Sequence, residues 1–143
     1  MSTEITPCEI VRDAISLYST QKGLPFEDIT SQIIGSAFEV YRVLGYGFLE
    51  KVYHRAMECE LQKRGLQTEI EHPIEVHYKG VIVGEYFADL LVESRVIVEI
   101  KVAEKYHTEH EAQLLNELKA TGIKVGLLIN FGKWRAEFKR LVF

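Results

Sequence analysis

Residues 86–102 read YFADLLV, then ESR, then VIVEIKV. Two apolar runs, Tyr86 to Val92 and Val96 to Val102, flank a three-residue break. Runs of this length, bounded by turn residues, predict two strands in the buried middle of a sheet, joined by a hairpin loop over Glu93, Ser94 and Arg95. Into these runs the chain sets three ionisable residues, Asp89, Glu99 and Lys101. An unpaired carboxylate is costly to bury, so acids kept there point to a bound cation or a specific partner.

The loop length sets the register. Pairing Val92 with Val96 places Leu91 opposite Ile97 and Asp89 opposite Glu99, with paired Cβ atoms about 4.5–5.5 Å apart. Alternation puts Glu99 and Lys101 on one face and Val98, Ile100 and Val102 on the other. The expectation is two facing acids and one lysine on a single side of the sheet. Opposed like charges are relieved if one carboxyl keeps its proton or a divalent cation bridges both.

Working outward, the spacing of Ile29, Ile33, Ala37, Val40 and Leu44 predicts a helix from Glu27 to Leu44, ended by Gly45-Tyr46-Gly47. A second helix follows from about Phe48 to Arg64, with Leu49, Val52, Tyr53, Ala56 and Leu61 as its stripe and Gly65 suited to its C-cap. Strand character from Gln67 through Ile74, Val76 and Tyr78 is interrupted at Pro73, which favours an edge strand or a bulge, and Lys79-Gly80 is a turn signal. Beyond the hairpin, Thr108 and Glu111 form a capping-box pattern opening a third helix with the stripe Ala112, Leu115 and Leu118, ending near Gly122. Ile123 to Asn130 reads as a buried strand and Glu137 to Phe143 as a last one. The order predicts an α/β fold, a mixed central sheet flanked by helices. Residues 1–26 read as an appended arm with a short amphipathic helix from Glu9 to Thr20, and residues 27–143 as the domain.

A chain of 143 residues with 47% hydrophobic content is long enough for one domain with a proper core. Cys8 and Cys59 have neither metal spacing nor disulfide-scaffold density, and no segment reaches the roughly 18 apolar residues of a membrane span. The expectation is a soluble, cytoplasmic protein. A net charge of −4 argues against coating nucleic acid through a general basic surface, though Arg42, Lys51 and Arg55, and Lys133, Arg135, Lys139 and Arg140, are locally positive. His107 and His110 do not complete a zinc pattern.

Asp89, nine residues, then Glu99-x-Lys101, on a hairpin that follows a helix, resembles the PD-(D/E)XK phosphodiesterase superfamily. Gly47-Phe-Leu-Glu50-Lys-Val-Tyr53 looks like the signature of the GxxExxY family within it. Ala88-Asp-Leu-Leu-Val92, Val98-Glu-Ile-Lys101, His110-Glu-Ala-Gln113-Leu-Leu and Gly126-Leu-Leu-Ile-Asn-Phe-Gly132 add matches in order, over roughly residues 28 to 143.

The resemblance implies a restriction-endonuclease-like αβββαβ core and a metal-dependent nuclease acting on DNA or RNA. It implies Glu50, Asp89 and Glu99 as metal ligands, with the backbone carbonyl of Ile100 completing a partial shell for Mg²⁺ or Mn²⁺. Lys101 is the implied residue that orients or activates the attacking water, and Gln113 supports the site from the following helix. Where many exonuclease members carry Q-x-x-x-Y, the position four after Gln113 is Glu117. The alternative is a nuclease-fold module that binds nucleic acid or a protein partner without cleaving, and a homodimer stays open. Tyr53 reads as a core or supporting residue.

Overall fold

The structure is a computed structural model and describes residues 26–143. The expected helix from Glu9 to Thr20 lies outside those residues. Helix α1, Glu27–Leu44, buries Ile29, Ile33, Ala37 and Val40 as the periodicity predicts, and its first turn carries Glu27 and Asp28, where the helix dipole favours acids. Gly45, at φ 68°, ends it by donating its N–H to Tyr41 O at 2.8 Å.

Helix α2, Glu50–Lys63, buries Tyr53, His54, Met57 and Leu61. Its inner stripe is therefore Tyr53, Met57 and Leu61. Leu49 and Val52, expected in that stripe, are 79% and 38% exposed. The apolar residues flanking the turn occupy both sides of the helix, and only those spaced four apart from Tyr53 meet the sheet.

Five strands follow: β1 (Thr68–Tyr78), β2 (Val81–Val92), β3 (Val96–Lys101), β4 (Val125–Phe131) and β5 (Ala136–Val142). They lie in the order β1-β2-β3-β4-β5. Every neighbouring pair is antiparallel except β3 and β4, which run parallel because helix α3, Glu111–Thr121, carries the chain across between them. The expected mixed sheet flanked by helices is present, and α2-β1-β2-β3-α3-β4 is its αβββαβ core. Pro73 sits in edge strand β1, where a missing N–H is tolerated. Both hairpins turn through pairs of positive-φ residues, Lys79 and Gly80, then Glu93 and Ser94.

Helices α1 and α2 cover one face, over Leu90, Val92, Val96, Val98, Ile100 and Leu127, and α3 covers the other, over Ile74, Ala88, Leu91, Ile97 and Leu128. On α3 the buried residues are Leu114, Glu117 and Leu118, so the stripe is one position out of phase with the expected Ala112 and Leu115, both exposed. The capping box does not form either. Thr108 opens a single 3₁₀ turn, and the Glu111 carboxylate instead accepts the Tyr106 hydroxyl at 2.8 Å and pairs with Lys139 at 3.1 Å.

The outer half of β2 departs from the expected buried strand. From Val81 to Ala88 it pairs with β1 alone, and Tyr86 and Phe87 stand 41% and 54% exposed on this two-stranded arm. Where the arm joins the sheet, its faces exchange. Ala88 packs under α3 and Leu90, two residues on, packs under α1 and α2. Across the ribbon Glu71 sits at φ 52°, and neither it nor Asp89 has a register partner. Regular strands keep residues i and i+2 on one face, so the exchange marks a bulge-like break centred on Asp89.

Candidate active site

The hairpin register holds for three pairs, Val92 with Val96, Leu91 with Ile97 and Leu90 with Val98. At the fourth the ladder stops. Asp89 and Glu99 do not face each other as a cross-strand pair, because the Asp89 carboxylate turns into the gap between the strands. There Oδ2 accepts the Ile100 N–H at 2.7 Å, while Glu99 Oε1 accepts the Asp89 N–H at 3.4 Å. Each acid thus takes a backbone donor that a regular ladder would have paired with a carbonyl. Direct opposition of two charges is thereby replaced by two charge-assisted hydrogen bonds. On an extended strand the N–H and C=O of one residue leave on the same side, so the Ile100 carbonyl also points into this gap.

Glu99 is 1% exposed and lies on the α3 face of β3, the opposite side from Ile100. Burial above all, then the neighbouring Glu117 and Asp89 carboxyls, push its pKa up to about 11. Asp89 behaves oppositely. Burial works to raise its carboxyl, but the His54 ring and the Ile100 N–H outweigh it and hold the group below the usual aspartate range. The closely placed acids are thus driven apart in proton affinity, one kept ionised and one kept protonated.

Two residues that the sequence reading did not place in the site belong to it. His54, on α2, is 6% exposed, and its Nε2 approaches Asp89 Oδ2 to 3.4 Å. Neither of its ring nitrogens has a well-formed hydrogen bond. Glu117, on α3, is fully buried between Leu114 and Leu118 and abuts Glu99, and burial leads the causes that raise its pKa. Gln113 donates Nε2 to Glu117 Oε2 at 3.1 Å, and the protonated Glu99 carboxyl shares a hydrogen bond with Glu117. The phase of α3 carried the missed signal: a stripe read from Leu114 and Leu118 turns Glu117 inward. A lone histidine on an amphipathic helix offers none.

The other expected residues take varied positions. Lys101 is half-buried at the end of β3, forms no ion pair among the described residues, and exerts its attraction on Glu117. Asn130, its register partner on β4, fixes the backbone just beyond it: Oδ1 accepts the Ala103 N–H and Nδ2 donates to the Ala103 carbonyl, both at 3.0 Å. Glu50 is exposed at the first position of α2, one helical turn before His54, and joins none of these contacts. Tyr53 is a core residue. Its ring stacks on Phe131 at 4.5 Å and its hydroxyl donates to Gly45 O at 2.5 Å, pinning the loop that delivers Glu50. Gln113 is exposed and reaches the acids only through Glu117.

The donor set around Glu99 is made of oxygens, with the Asp89 and Glu117 carboxyls close by. Hard divalent cations take such donors, so the residue types fit a cation of that class. Among the described residues, however, no three His, Cys, Asp or Glu side chains already stand gathered as a closed ligand set. Whatever shell they offer is partial.

A sequence profile of the PD-(D/E)XK nuclease superfamily matches residues 27–141. A solved structure titled "Crystal structure of SSO0001" superimposes with a TM-score of 0.52 at 18% identity, covering 99% of this chain and 69% of that one. At that identity the likeness speaks for the fold, which is restriction-endonuclease-like. No curated protein matches the chain. Among the described residues no helix is long and apolar enough to cross a membrane.

Proposed function

Because the chain belongs to the PD-(D/E)XK nuclease superfamily, we propose that it is a divalent-metal-dependent phosphodiesterase hydrolysing DNA or RNA, with its centre at Asp89, Glu99 and Lys101. Within the superfamily we assign it to the GxxExxY family, on Gly47, Glu50 and Tyr53. The observation that carries the proposal is the break in the β2–β3 ladder. A chain that turns a half-buried aspartate into its own sheet, beside the fully buried Glu99, holds oxygen donors where a packed hairpin needs none.

Asp89, Glu99 and the Ile100 carbonyl would hold Mg²⁺ or Mn²⁺, with Glu50 approaching from α2. The cation, when bound, neutralises phosphate charge and lowers the pKa of water. The protein's own residues do the rest. Lys101, held by the Asn130 clamp at the end of its strand, orients the attacking water or a phosphate oxygen. His54 keeps Asp89 ionised and so preserves a ligand in its binding form. Gln113 orients Glu117 behind Glu99.

The test is incubation with single-stranded and duplex DNA and RNA in Mn²⁺, comparing wild type with Lys101→Ala and Asp89→Ala. Each substitution is expected to cut the cleavage rate about 10²-fold or more, while leaving the protein folded. Cleavage that survives in both variants sinks the proposal. Binding without cleavage in the wild type assigns the chain to the second reading, a nuclease-fold module that holds nucleic acid without cutting it.

A further inference from the structure

Phe131, the last residue of β4, anchors a second feature at the end of the sheet that holds Lys101. The Tyr53 ring stacks on it at 4.5 Å and the Tyr41 ring at 6.5 Å. Each of these tyrosines also holds a loop: Tyr53 donates its hydroxyl to Gly45 O at 2.5 Å, and Tyr41 donates to Gly132 O at 2.8 Å. The α1–α2 loop and the β4–β5 turn are thereby tied together beside the candidate centre, since Lys101 pairs with Asn130 and Glu50 directly follows the first loop. This pinned rim carries aromatic rings that the core does not use. Trp134 is 79% exposed, Phe48 49% and Tyr46 37%. Phe48 is braced against Tyr53 at 6.4 Å, and Tyr46 stands between Gly45 and Gly47, both at positive φ with open space where a Cβ would lie. Rings left in water forgo the burial that aromatic side chains normally gain, and clustered apolar exposure marks a contact surface.

We propose that this rim is a stacking platform for the bases of an unpaired DNA or RNA strand, with Trp134 its principal ring and Phe48 and Tyr46 beside it. The inference rests on the reading of the centre as one that acts on nucleic acid, and narrows its substrate to a single-stranded segment. Two observations favour a nucleic-acid strand over a protein partner. The rim is continuous with the centre through Glu50 and the Lys101–Asn130 pair. Cations also stand among the rings. The Lys133 ammonium lies 5.3 Å from the centre of the Trp134 ring and meets Glu104 only at 4.0 Å, while exposed Lys51 forms no ion pair among the described residues. A net charge of −4 leaves phosphate attraction weak, so affinity has to come from a source other than counterion release. Base stacking is such a source, because every base has a face to offer whatever its identity. A duplex keeps those faces stacked on one another and gains nothing from the rings.

Trp134 is the only tryptophan in the chain, so its fluorescence reports the contact directly and without a variant. Short single strands of DNA and RNA, the matching DNA duplex and an abasic strand of the same length are titrated against the full chain in EDTA, following anisotropy and tryptophan emission. The single strands are expected to bind and to quench Trp134. The abasic strand, with the same phosphates and no bases, is expected to bind about tenfold more weakly or worse and to leave the emission unchanged. Trp134→Ala and Phe48→Ala should each weaken single-strand binding about tenfold, and Trp134→Phe should recover most of the loss. Phe143→Ala, an equally exposed ring at the opposite end of β4, should change nothing. Unchanged Trp134 emission at saturation, duplex binding as tight as single-strand binding, or wild-type affinity in Trp134→Ala overturns this inference alone, and cleavage is then judged by its own assay. Strand binding with quenching, in a wild type that cuts nothing in Mn²⁺, upholds the platform and overturns the cleavage reading. If wild type binds no strand the inference falls, and self-association lost in Trp134→Ala, measured by sedimentation, then assigns the rim to a protein contact.

Discussion

At the scale of single residues, the acids at the centre work in opposite directions with pH. Glu99 is raised from an ordinary 4.5 to about 11, first by burial and then by Glu117 and Asp89, so the folded state binds its proton more tightly than the unfolded chain. Its contribution to stability is therefore full below 4.5 and is surrendered progressively as pH climbs toward about 11. Asp89 lies below its ordinary 3.8, held there against burial by His54 and Ile100, so its contribution is present above that value and lost as pH falls through the depressed one. Glu99→Gln carries no titrating proton, so it should abolish the alkaline decline. The stability advantage of the variant over wild type, measured by chemical denaturation without metal, is expected to widen from about pH 5 to about pH 9, at no more than about 1.4 kcal/mol per pH unit for one proton. A constant difference across that range contradicts the assignment. Glu99 and Lys101 were legible in the sequence because they interrupt apolar runs. His54 was not, since nothing local distinguishes a histidine that meets an aspartate 35 positions later.

At the scale of elements, strand β3 carries the acid and the lysine, and its end is held by a side chain of its neighbour. Asn130 copies a peptide group: it makes both hydrogen bonds to Ala103 that another strand residue would have made, just past Lys101. Removing it leaves the half-buried Ala103 groups to find other partners. Asn130→Ala is expected to cost about 1–3 kcal/mol of stability for two lost hydrogen bonds. It should also lower cleavage at temperatures where the variant remains fully folded, because Lys101 loses its fixed approach. Urea denaturation and steady-state rates together check this, and full activity in a destabilised variant would show that the clamp serves stability alone. Element existence and order were readable from periodicity and turn residues, whereas the phase of α2 and α3 was not. Both helices carry apolar residues on more than one side, and which side faces inward is decided by where the sheet lies. That one-residue phase error hid Glu117, because reading the stripe from Leu115 leaves the glutamate outside.

At the scale of the whole molecule, net charge and charge placement bound how nucleic acid is held. The chain carries −4, and much of its locally positive tail is engaged: Lys133 with Glu104 at 4.0 Å, Arg135 with Glu137 at 3.6 Å and Lys139 with Glu111 at 3.1 Å. The negative net charge and these pairs together weaken that patch as a counterpart for a phosphate backbone. Nucleic-acid binding is therefore expected to depend shallowly on salt, with a log–log slope weaker than about −3, corresponding to roughly three neutralised phosphates. Fluorescence anisotropy over a salt series measures it, and a slope steeper than about −6 contradicts the expected small footprint. The sequence by itself determined the α/β class, the order of the elements, the first three pairs of the central hairpin and the presence of two acids and a lysine within it. These follow from local periodicity and from loop length, which act over a few residues. Only the tertiary structure decided that the ladder breaks at Asp89, that its carboxylate enters the sheet, and that His54 and Glu117 complete the cluster from two different helices. Those outcomes depend on how charges separated along the chain are satisfied once buried together, and that energy does not exist until the helices close on the sheet.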